Sequence, residues 1–337
     1  MALSTTIQPA IARVMTPRAL FATSVLAALA TWIMLLIGGT VNPTGSSLAC
    51  DWSPTDLLFP TCNGAAFPEM TGGVLYEHGH RLWGWLVGIF TTATLVGAWA
   101  RPEIVTRTKW LALGALFLVL AQGALGGLTV LLGLNPYVST AHLVTGYSFL
   151  ALMVVLSWRL APSRAAAPAA GQRLGRRLVA LAALVVLLQI VLGGIIRHFG
   201  AGLICGADPI GCAGQGLWPS TFQQQLHMSH RFLGYLALLL VIATSLRAAP
   251  AARRSGRFAI ARLAIAPLAI ALVQVALGLL TVVTGEVVAV AFHTAFGGLL
   301  LATLVALWAG FGPLGEPRAA LAEARVERLA ERREATT

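Results

Sequence analysis

The chain has 337 residues, of which 57% are hydrophobic and only 10% are charged, and its mean hydropathy is +0.80. A soluble globular protein of this length cannot bury so much apolar surface, so the composition excludes that class and predicts an integral membrane protein. The net charge of +11 does not indicate a nucleic-acid partner, because the basic residues cluster in alternate loops between apolar segments.

Eight apolar segments follow one another along the chain, and each is long enough to cross a bilayer as a helix, which needs roughly 20 residues. They cover residues 18–40, 75–100, 109–132, 138–159, 176–198, 223–246, 261–283 and 288–311. The first segment is too long for a cleaved signal peptide, and its Gly38-Gly39 end has an internal counterpart at Gly193-Gly194. The sequence therefore predicts an all-α integral membrane protein with eight transmembrane helices.

Lysine and arginine fall at the N-terminus, in alternate loops and in the C-terminal tail. The intervening loops, at about 41–74, 133–137, 199–222 and 284–287, contain neither residue. By the positive-inside rule these loops lie on the outer side and both termini lie in the cytoplasm. The pattern predicts a multi-pass protein of a bacterial-type inner membrane.

The two halves of the chain match each other at an offset of 150 to 155 residues. The motif Glu-His-Gly-His-Arg at 77–81 corresponds to His-Met-Ser-His-Arg at 227–231. Because each half holds four helices, an even number, both copies have the same orientation, and we expect two pseudo-symmetric four-helix bundles. The predicted units are a cytoplasmic N-terminus (1–17), an N-terminal bundle (18–160), a cytoplasmic linker (161–175), a C-terminal bundle (176–311) and a cytoplasmic tail (312–337).

The four cysteines lie in pairs in the two long outer loops, with Cys50 and Cys62 in the first loop and Cys205 and Cys212 in the second. Outside the reducing cytosol, such pairs favour one disulfide in each loop. We therefore expect the bonds Cys50–Cys62 and Cys205–Cys212. A redox-active or metal-binding pair is the alternative.

All seven histidines lie at the outer ends of the predicted helices. His80 and His142 are near the starts of the second and fourth helices of the first half, and His230 and His293 hold the same places in the second half. Ionisable side chains at membrane depth are rare and usually functional. Two histidines from facing helices, without the further ligands that a bare ion requires, fit axial ligation of a haem. We predict two haem sites with these four histidines as metal ligands.

The repeated motif is broken at one position, where Glu77 in the first half corresponds to His227 in the second. Glu77 and His80 are three residues apart and share a helix face. A carboxylate beside a histidine-ligated haem can act as a base or stabilise positive charge on a reacting carbon. Glu77 is therefore the candidate catalytic residue, and a solvated residue at the helix mouth is the alternative. The asymmetry predicts that one half performs chemistry and the other carries a structural or electron-transfer haem.

Only three basic residues lie on the predicted outer side, namely Arg81, Arg197 and Arg231. Charge near the membrane is costly unless it is paired, so we expect these arginines to bind an anionic group such as a haem propionate. Snorkelling towards lipid headgroups is the alternative. Together with His227, the three arginines form the predicted cofactor-binding set.

The chain resembles the haem A synthase family, whose members oxidise haem O to haem A for terminal oxidases. The resemblance covers about residues 18–311. It rests on Glu-x-x-His-Arg at 77–81, His-x-x-His-Arg at 227–231, His142, His293, the two cysteine pairs, and Gly-Gly-x-x-Arg-x-x-Gly-x-Gly-Leu at 193–203. The chain departs from the pattern at Asn42, which stands where the second half has Arg197.

The resemblance implies a substrate haem in the N-terminal half, near Glu77, His80 and His142. It also implies a haem b bound by His230 and His293 in the C-terminal half. The implied reaction oxidises the C8 methyl of haem O to a formyl group by successive hydroxylations, which gives haem A.

The partners expected from this reading are haem O, a haem O synthase that supplies it, an electron acceptor of unknown identity and membrane lipid. A homo-oligomer is compatible with the sequence, and no nucleic acid is expected. The alternative function is a di-haem b electron-transfer protein in which both sites are equivalent and Glu77 is incidental. A transporter is disfavoured because the sequence shows no discontinuous helix or midplane charge.

Overall fold

The structure, a computed structural model, describes residues 7–51, 53, 59–162, 172–208 and 210–311, and these contain helices but no strand. The helices are α1 (Ile7–Val14), α2 (Pro17–Val41), α3 (Gly72–Ala100), α4 (Thr106–Leu131), α5 (Pro136–Leu160), α6 (Gln172–His198), α7 (Phe222–Arg254), α8 (Phe258–Leu263), α9 (Ala266–Thr284) and α10 (Val287–Gly310). The predicted tail (312–337) lies outside the described residues, as do positions 1–6 of the predicted N-terminus and most of the predicted linker.

Eight stretches of the described residues are long and apolar enough to cross a membrane. They correspond to α2, α3, α4, α5, α6, α7, the α8–α9 pair and α10. The predicted class, an all-α membrane protein with eight spans, is confirmed. Their large exposed apolar side chains are explained by lipid, since a bilayer solvates surface that water would not.

The seventh span differs from the single helix that hydropathy predicts over 261–283. α8 ends at Leu263 and α9 begins at Ala266. Pro267 lies in the first turn of α9, where its missing N–H costs nothing, whereas it could not continue a helix from the turn before. The sixth span also differs, because α7 continues past its predicted end at 246 to Arg254.

A short helix not predicted from the sequence, α1, packs against α3. Arg101, just after the end of α3, donates through Nη1 to the carbonyls of Ala12 (3.3 Å) and Met15 (3.0 Å). These bonds hold the start of the described chain against the end of α3 that is remote from the histidines.

The spanning helices contact one another in two rings. In the first, α2 touches α3, α3 touches α4, α4 touches α5, and α5 returns to α2; in the second, α6, α7, α9 and α10 form the same circuit. The rings meet where α2 packs on α10 and where α5 packs on both α6 and α10. Two hydrogen bonds cross this junction, from Trp32 Nε1 to Ala295 O (2.9 Å) and from Tyr147 Oη to Thr294 O (2.7 Å). The pseudo-symmetry of the two bundles stays a prediction.

Candidate functional site

One end of the helix assembly, here called the histidine end, carries all seven histidines of the chain. Successive spans run in opposite directions, so the first turns of α3, α5, α7 and α10 lie beside the last turns of α2, α4, α6 and α9. His80, His142, His230 and His293 lie within the first three turns of α3, α5, α7 and α10. The alternation of helix direction therefore gathers residues that are far apart in sequence.

The first ring encloses a cavity of about 880 Å³, within the range of roughly 300–1,000 Å³ that ligand sites occupy. Most of its wall is apolar and comes from α2, α3, α4 and α5. The polar and charged side chains in the wall include those of Asn42, Glu77, His80, Arg81, Gln122, His142, Arg197 and His198. A large apolar chamber with a few convergent polar groups is the usual form of a cofactor or substrate site.

His80 and His142 face each other across this cavity, with ring centroids 6.5 Å apart and ring planes 78° to each other. A metal–imidazole bond is about 2 Å long, so two imidazoles on opposite sides of one metal ion have centroids roughly 6 Å apart. Both Nδ1 atoms are buried without a hydrogen-bond partner among the described residues. This donor pair fits the two axial positions of a haem.

A glycine on the neighbouring helix faces each of the four histidine rings. A Cβ on that glycine would lie 2.8 to 3.2 Å from the ring Cε1. The pairs are Gly38 with His80, Gly126 with His142, Gly193 with His230, and Gly278 with His293. A side chain at these positions would push the imidazole away, so glycine is required by close approach and not by backbone conformation.

Glu77 is buried, with 4% of its surface exposed, and both of its carboxylate oxygens are bonded. Oε1 accepts a charge-assisted hydrogen bond from Arg81 Nη2 (2.7 Å), and Oε2 accepts from the backbone N–H of Cys50 (2.9 Å). A buried carboxylate is tolerated when a cation and a fixed donor replace water in this way. The alternative of a solvated residue is therefore wrong, because Glu77 lies in the cavity wall with an ion-pair partner.

Arg81 and Arg231 hold the two long loops in place. Arg81 donates to the carbonyls of Cys50 (3.1 Å), Asp51 (3.0 Å) and Thr61 (2.9 Å), in addition to Glu77. In the second half, Arg231 donates to the carbonyls of Gly206 (2.6 Å), Gly211 (2.7 Å) and Asp208. Most of the hydrogen bonds that each guanidinium donates therefore go to backbone carbonyls of its loop. A bond from either arginine to a propionate stays a prediction.

Both long loops are closed by disulfides, Cys50–Cys62 in the first and Cys205–Cys212 in the second. All four cysteines are buried. The first bond lies directly over Glu77, because Cys50 contributes its N–H to Glu77 and its carbonyl to Arg81. The disulfide, the arginine and the carboxylate thus form one connected unit.

His227, predicted as a cofactor-binding residue, contacts the second loop. Its Nδ1 lies 2.9 Å from the carbonyl of Ala201, and only 4% of the residue is exposed. In the first half, His78 makes the similar contact, from Nε2 to the carbonyl of Ala66 (3.1 Å). Where the first half has the carboxylate of Glu77, the second half therefore has a histidine that contacts a backbone carbonyl of its own loop.

Arg197 and His198, from the end of α6 in the second ring, line the cavity of the first ring. Arg197 Nη2 donates to the carbonyl of Gly39 on α2 (3.2 Å), and its Nε is buried without a partner among the described residues. Asn42, its counterpart in the repeat, lines the same cavity. Sequence reasoning did not assign His198 a role and did not place Arg197 in the first half, because neither position carries a signal of which neighbouring bundle it faces.

The chain matches a family of proteins described as cytochrome oxidase assembly protein over residues 19–305. It is similar to proteins named haem A synthase from Bacillus pumilus, with 30% identity over 66% of this chain and 72% of the relative. The haem A synthase of Geobacillus kaustophilus is 28% identical over 66% of this chain and 70% of the relative. That of Symbiobacterium thermophilum is 31% identical over 63% of this chain and 71% of the relative. The match spans all eight membrane helices and the four facing histidines. The chain therefore belongs to the cytochrome oxidase assembly protein family.

Proposed function

We propose that this protein is a haem A synthase, a membrane oxidoreductase that converts haem O into haem A. The observation that carries the proposal is the first-half cavity, in which His80 and His142 face each other beside the buried carboxylate of Glu77. The relatives named haem A synthase support the same activity. The reaction would oxidise the C8 methyl of haem O to a formyl group by successive hydroxylations.

The first half would hold the substrate. His80 and His142 would hold the iron of haem O, which would place the substrate between α3 and α5. Arg197 is placed to bind an anionic substituent of the substrate, because its guanidinium reaches the cavity and retains a buried Nε donor that has no partner among the described residues. Asn42 adds a neutral hydrogen-bonding group to the same wall.

Glu77 would be the catalytic residue. Arg81 and the Cys50 N–H stabilise the charged form of its carboxylate and fix its position in the wall. A carboxylate held in this way can accept a proton or stabilise positive charge that develops on the reacting carbon. Because these donors are arranged before the substrate enters, the charge needs little reorganisation during the reaction.

The second half would hold a resident haem b between His230 and His293. The close contacts of these rings with Gly193 and Gly278 have the same form as those of the substrate pair, which supports an equivalent ligand set. When bound, haem b supplies one-electron transfer. His230 and His293 would set its position, and Arg231 would keep the second loop over it.

The division of labour extends to the predicted units and topology. We infer that 18–160 is the substrate half and 176–311 the haem b half, with both termini cytoplasmic and the histidine end on the outer side. A haem O synthase would deliver the substrate through the membrane, and an acceptor outside this chain would remove the electrons. The di-haem b carrier is not favoured, because equivalent sites do not account for the buried Glu77 ion pair in one half alone.

The test is to purify the protein from membranes that contain haem O and to extract and separate its pigments. The enzyme should yield haem O or haem A together with haem B. Haem B alone at both sites would support the carrier and reject the synthase.

A further inference from the structure

Three of the four candidate ligand histidines are bonded through their backbone carbonyls to a glutamine on the neighbouring helix. The side-chain Nε2 of each glutamine donates to the backbone carbonyl of a histidine. The bonds are Gln122 to His142 (2.7 Å), Gln189 to His230 (2.8 Å) and Gln274 to His293 (2.9 Å). Because these carbonyls lie in the first turns of their helices, each bond fixes one ligand helix against its neighbour.

The side chain of each glutamine packs against the glycine that lies four residues after the histidine. A Cβ on that glycine would lie 3.0 Å from Gln189 Nε2 at Gly234, 3.3 Å from Gln274 Nε2 at Gly297, and 3.7 Å from Gln122 Nε2 at Gly146. The glycine that faces the histidine ring is, in turn, four residues after the glutamine. In each of these three helix pairs, one helix therefore carries Gln-x-x-x-Gly and its neighbour carries His-x-x-x-Gly.

The fourth pair, α2 with α3, has the glycines but not the glutamine. Gly38 faces the His80 ring, as its counterparts face the other rings. Gly84 is the glycine four residues after His80, and the side chain that packs against it is Met34, whose Cε would lie 3.0 Å from a Cβ on Gly84. That distance equals the one from Gln189 to Gly234, so Met34 lies where the amide lies in the second half. A thioether has no N–H to donate, and in the described part of the chain the carbonyl of His80 therefore receives no such bond from a glutamine on the neighbouring helix.

We propose that Gln122, Gln189 and Gln274 are positioning residues that lock three of the haem ligands, and that Met34 leaves His80 as the exchangeable ligand of the substrate site. The inference rests on the proposed function, since it takes these histidines as haem ligands. His142 stays fixed and keeps the substrate in register. His80 is the ligand that detaches when haem O enters and when haem A leaves.

The arrangement suits an enzyme whose substrate and product both have the size of a cofactor. A resident haem b benefits from two locked ligands, because it does not have to leave its site during turnover. A substrate haem bound by two locked ligands would leave slowly, and product release limits many enzymes. One unlocked ligand keeps the orientation that His142 provides and gives a route for exchange.

The experiment measures haem release from the purified full-length protein to excess apomyoglobin. Chromatography of the transferred pigment separates haem O and haem A, from the first half, from haem B, from the second. In the unaltered protein, haem O and haem A should leave the first half faster than haem B leaves the second half. Met34→Gln supplies the missing amide and should slow that release three- to tenfold, as expected for one interhelical hydrogen bond of roughly 0.6–1.4 kcal/mol.

Met34→Leu is the matched control, because it conserves volume and adds no donor. It should release haem at the unaltered rate and keep the low-spin spectrum. Gln189→Met is the reverse exchange and should speed release of haem B three- to tenfold, which decides the matter if Met34→Gln does not fold. Equal rates for Met34→Gln and Met34→Leu, or an unchanged rate for Gln189→Met, would overturn the inference. A protein that binds only haem B would instead reject the proposed function.

Discussion

At the same place in the repeated motif, the first half of the protein holds Glu77 and the second half holds His227. Glu77 lies in a cavity wall and is bonded to Arg81 and to the N–H of Cys50, whereas His227 contacts a loop carbonyl. Both halves keep the two histidines, the glycines against their rings, the disulfide loop and the arginine that holds the loop. This arrangement of histidines, glycines, arginine and closed loop is thus common to both halves, and the differences lie in the side chains around the histidines.

The halves also differ in how they share side chains. Arg197 belongs to the second half by sequence but reaches the cavity of the first, where it joins Asn42. The cavity of the first ring is therefore completed by residues of the second ring. This explains how the first half tolerates Asn42 at a position where its repeat has an arginine.

The largest effect is expected from Glu77→Gln, which removes the negative charge and keeps the size of the side chain. Formation of haem A should fall about 100-fold or more, as for loss of a catalytic base or a charge-stabilising group. The haem b spectrum of the second half should not change. Glu69→Gln, at an exposed position of the first loop just before α3, is the control and should retain activity. A normal yield of haem A from Glu77→Gln would remove this residue from the mechanism.

Replacement of His230 or His293 by alanine should abolish the low-spin signal of the haem b, because one axial ligand is lost. His80→Ala should leave that signal intact and alter only the first-half haem. Optical and electron paramagnetic resonance spectra of the purified variants make the comparison. The ligand assignment would be wrong if His230→Ala and His293→Ala both kept an unchanged spectrum.

Arg197→Gln should weaken binding of haem O in the first half by about tenfold or more, since a charge-assisted hydrogen bond to an anionic group is worth roughly 1.5–3 kcal/mol. Retention of haem O during purification gives the measurement. Arg177→Gln is the matched control, because Arg177 is exposed near the opposite end of α6. An effect on haem b alone would show that Arg197 serves its own half and not its neighbour.

The two disulfides should differ in their effect on activity. Cys50→Ser should reduce haem A formation severalfold, because the backbone of Cys50 contacts both Glu77 and Arg81. Cys205→Ser breaks a loop of the second half and should cost less activity, although each closed loop stabilises the fold by roughly 2–3 kcal/mol. Activity normalised to bound haem b separates the two cases. Equal losses would contradict the ranking.

The smallest effect is expected at Asp208 in the second loop. Its Oδ1 accepts the N–H of Gly211 (2.9 Å) and Ile210 (3.0 Å), and these bonds hold the pKa of Asp208 below its usual range. A lowered pKa in the folded state means that the ionised carboxylate stabilises the loop above its ordinary pKa, and that this is lost as pH falls below about 4. Asp208→Asn should flatten the pH dependence of thermal unfolding between pH 3 and 6. Asp51→Asn, in the first loop, is the control.

Much of the architecture could be predicted from the sequence, because membrane spans depend on composition over some 20 residues and not on neighbours. The same holds for the placement of the histidines at one end, since an even number of spans repeats the orientation of each motif. The contrast between Glu77 and His227 is visible in the repeat itself. The break between α8 and α9 could have been found from Pro267, which marks a helix start.

Contacts between helices were decided only by the tertiary structure. Nothing in the residues around Arg197 indicates that its side chain enters the neighbouring ring, because that depends on how α6 packs against α5 and α10. The ion pair of Glu77 with Arg81 follows from helix spacing, but its bond to the N–H of Cys50 depends on the path of a long loop. The pattern of Gln-x-x-x-Gly and His-x-x-x-Gly can be read in the chain, yet only the helix pairing shows that amide and carbonyl meet. Sequence fixes periodicity along one helix, whereas the position of a side chain relative to another helix is set by packing of the whole assembly.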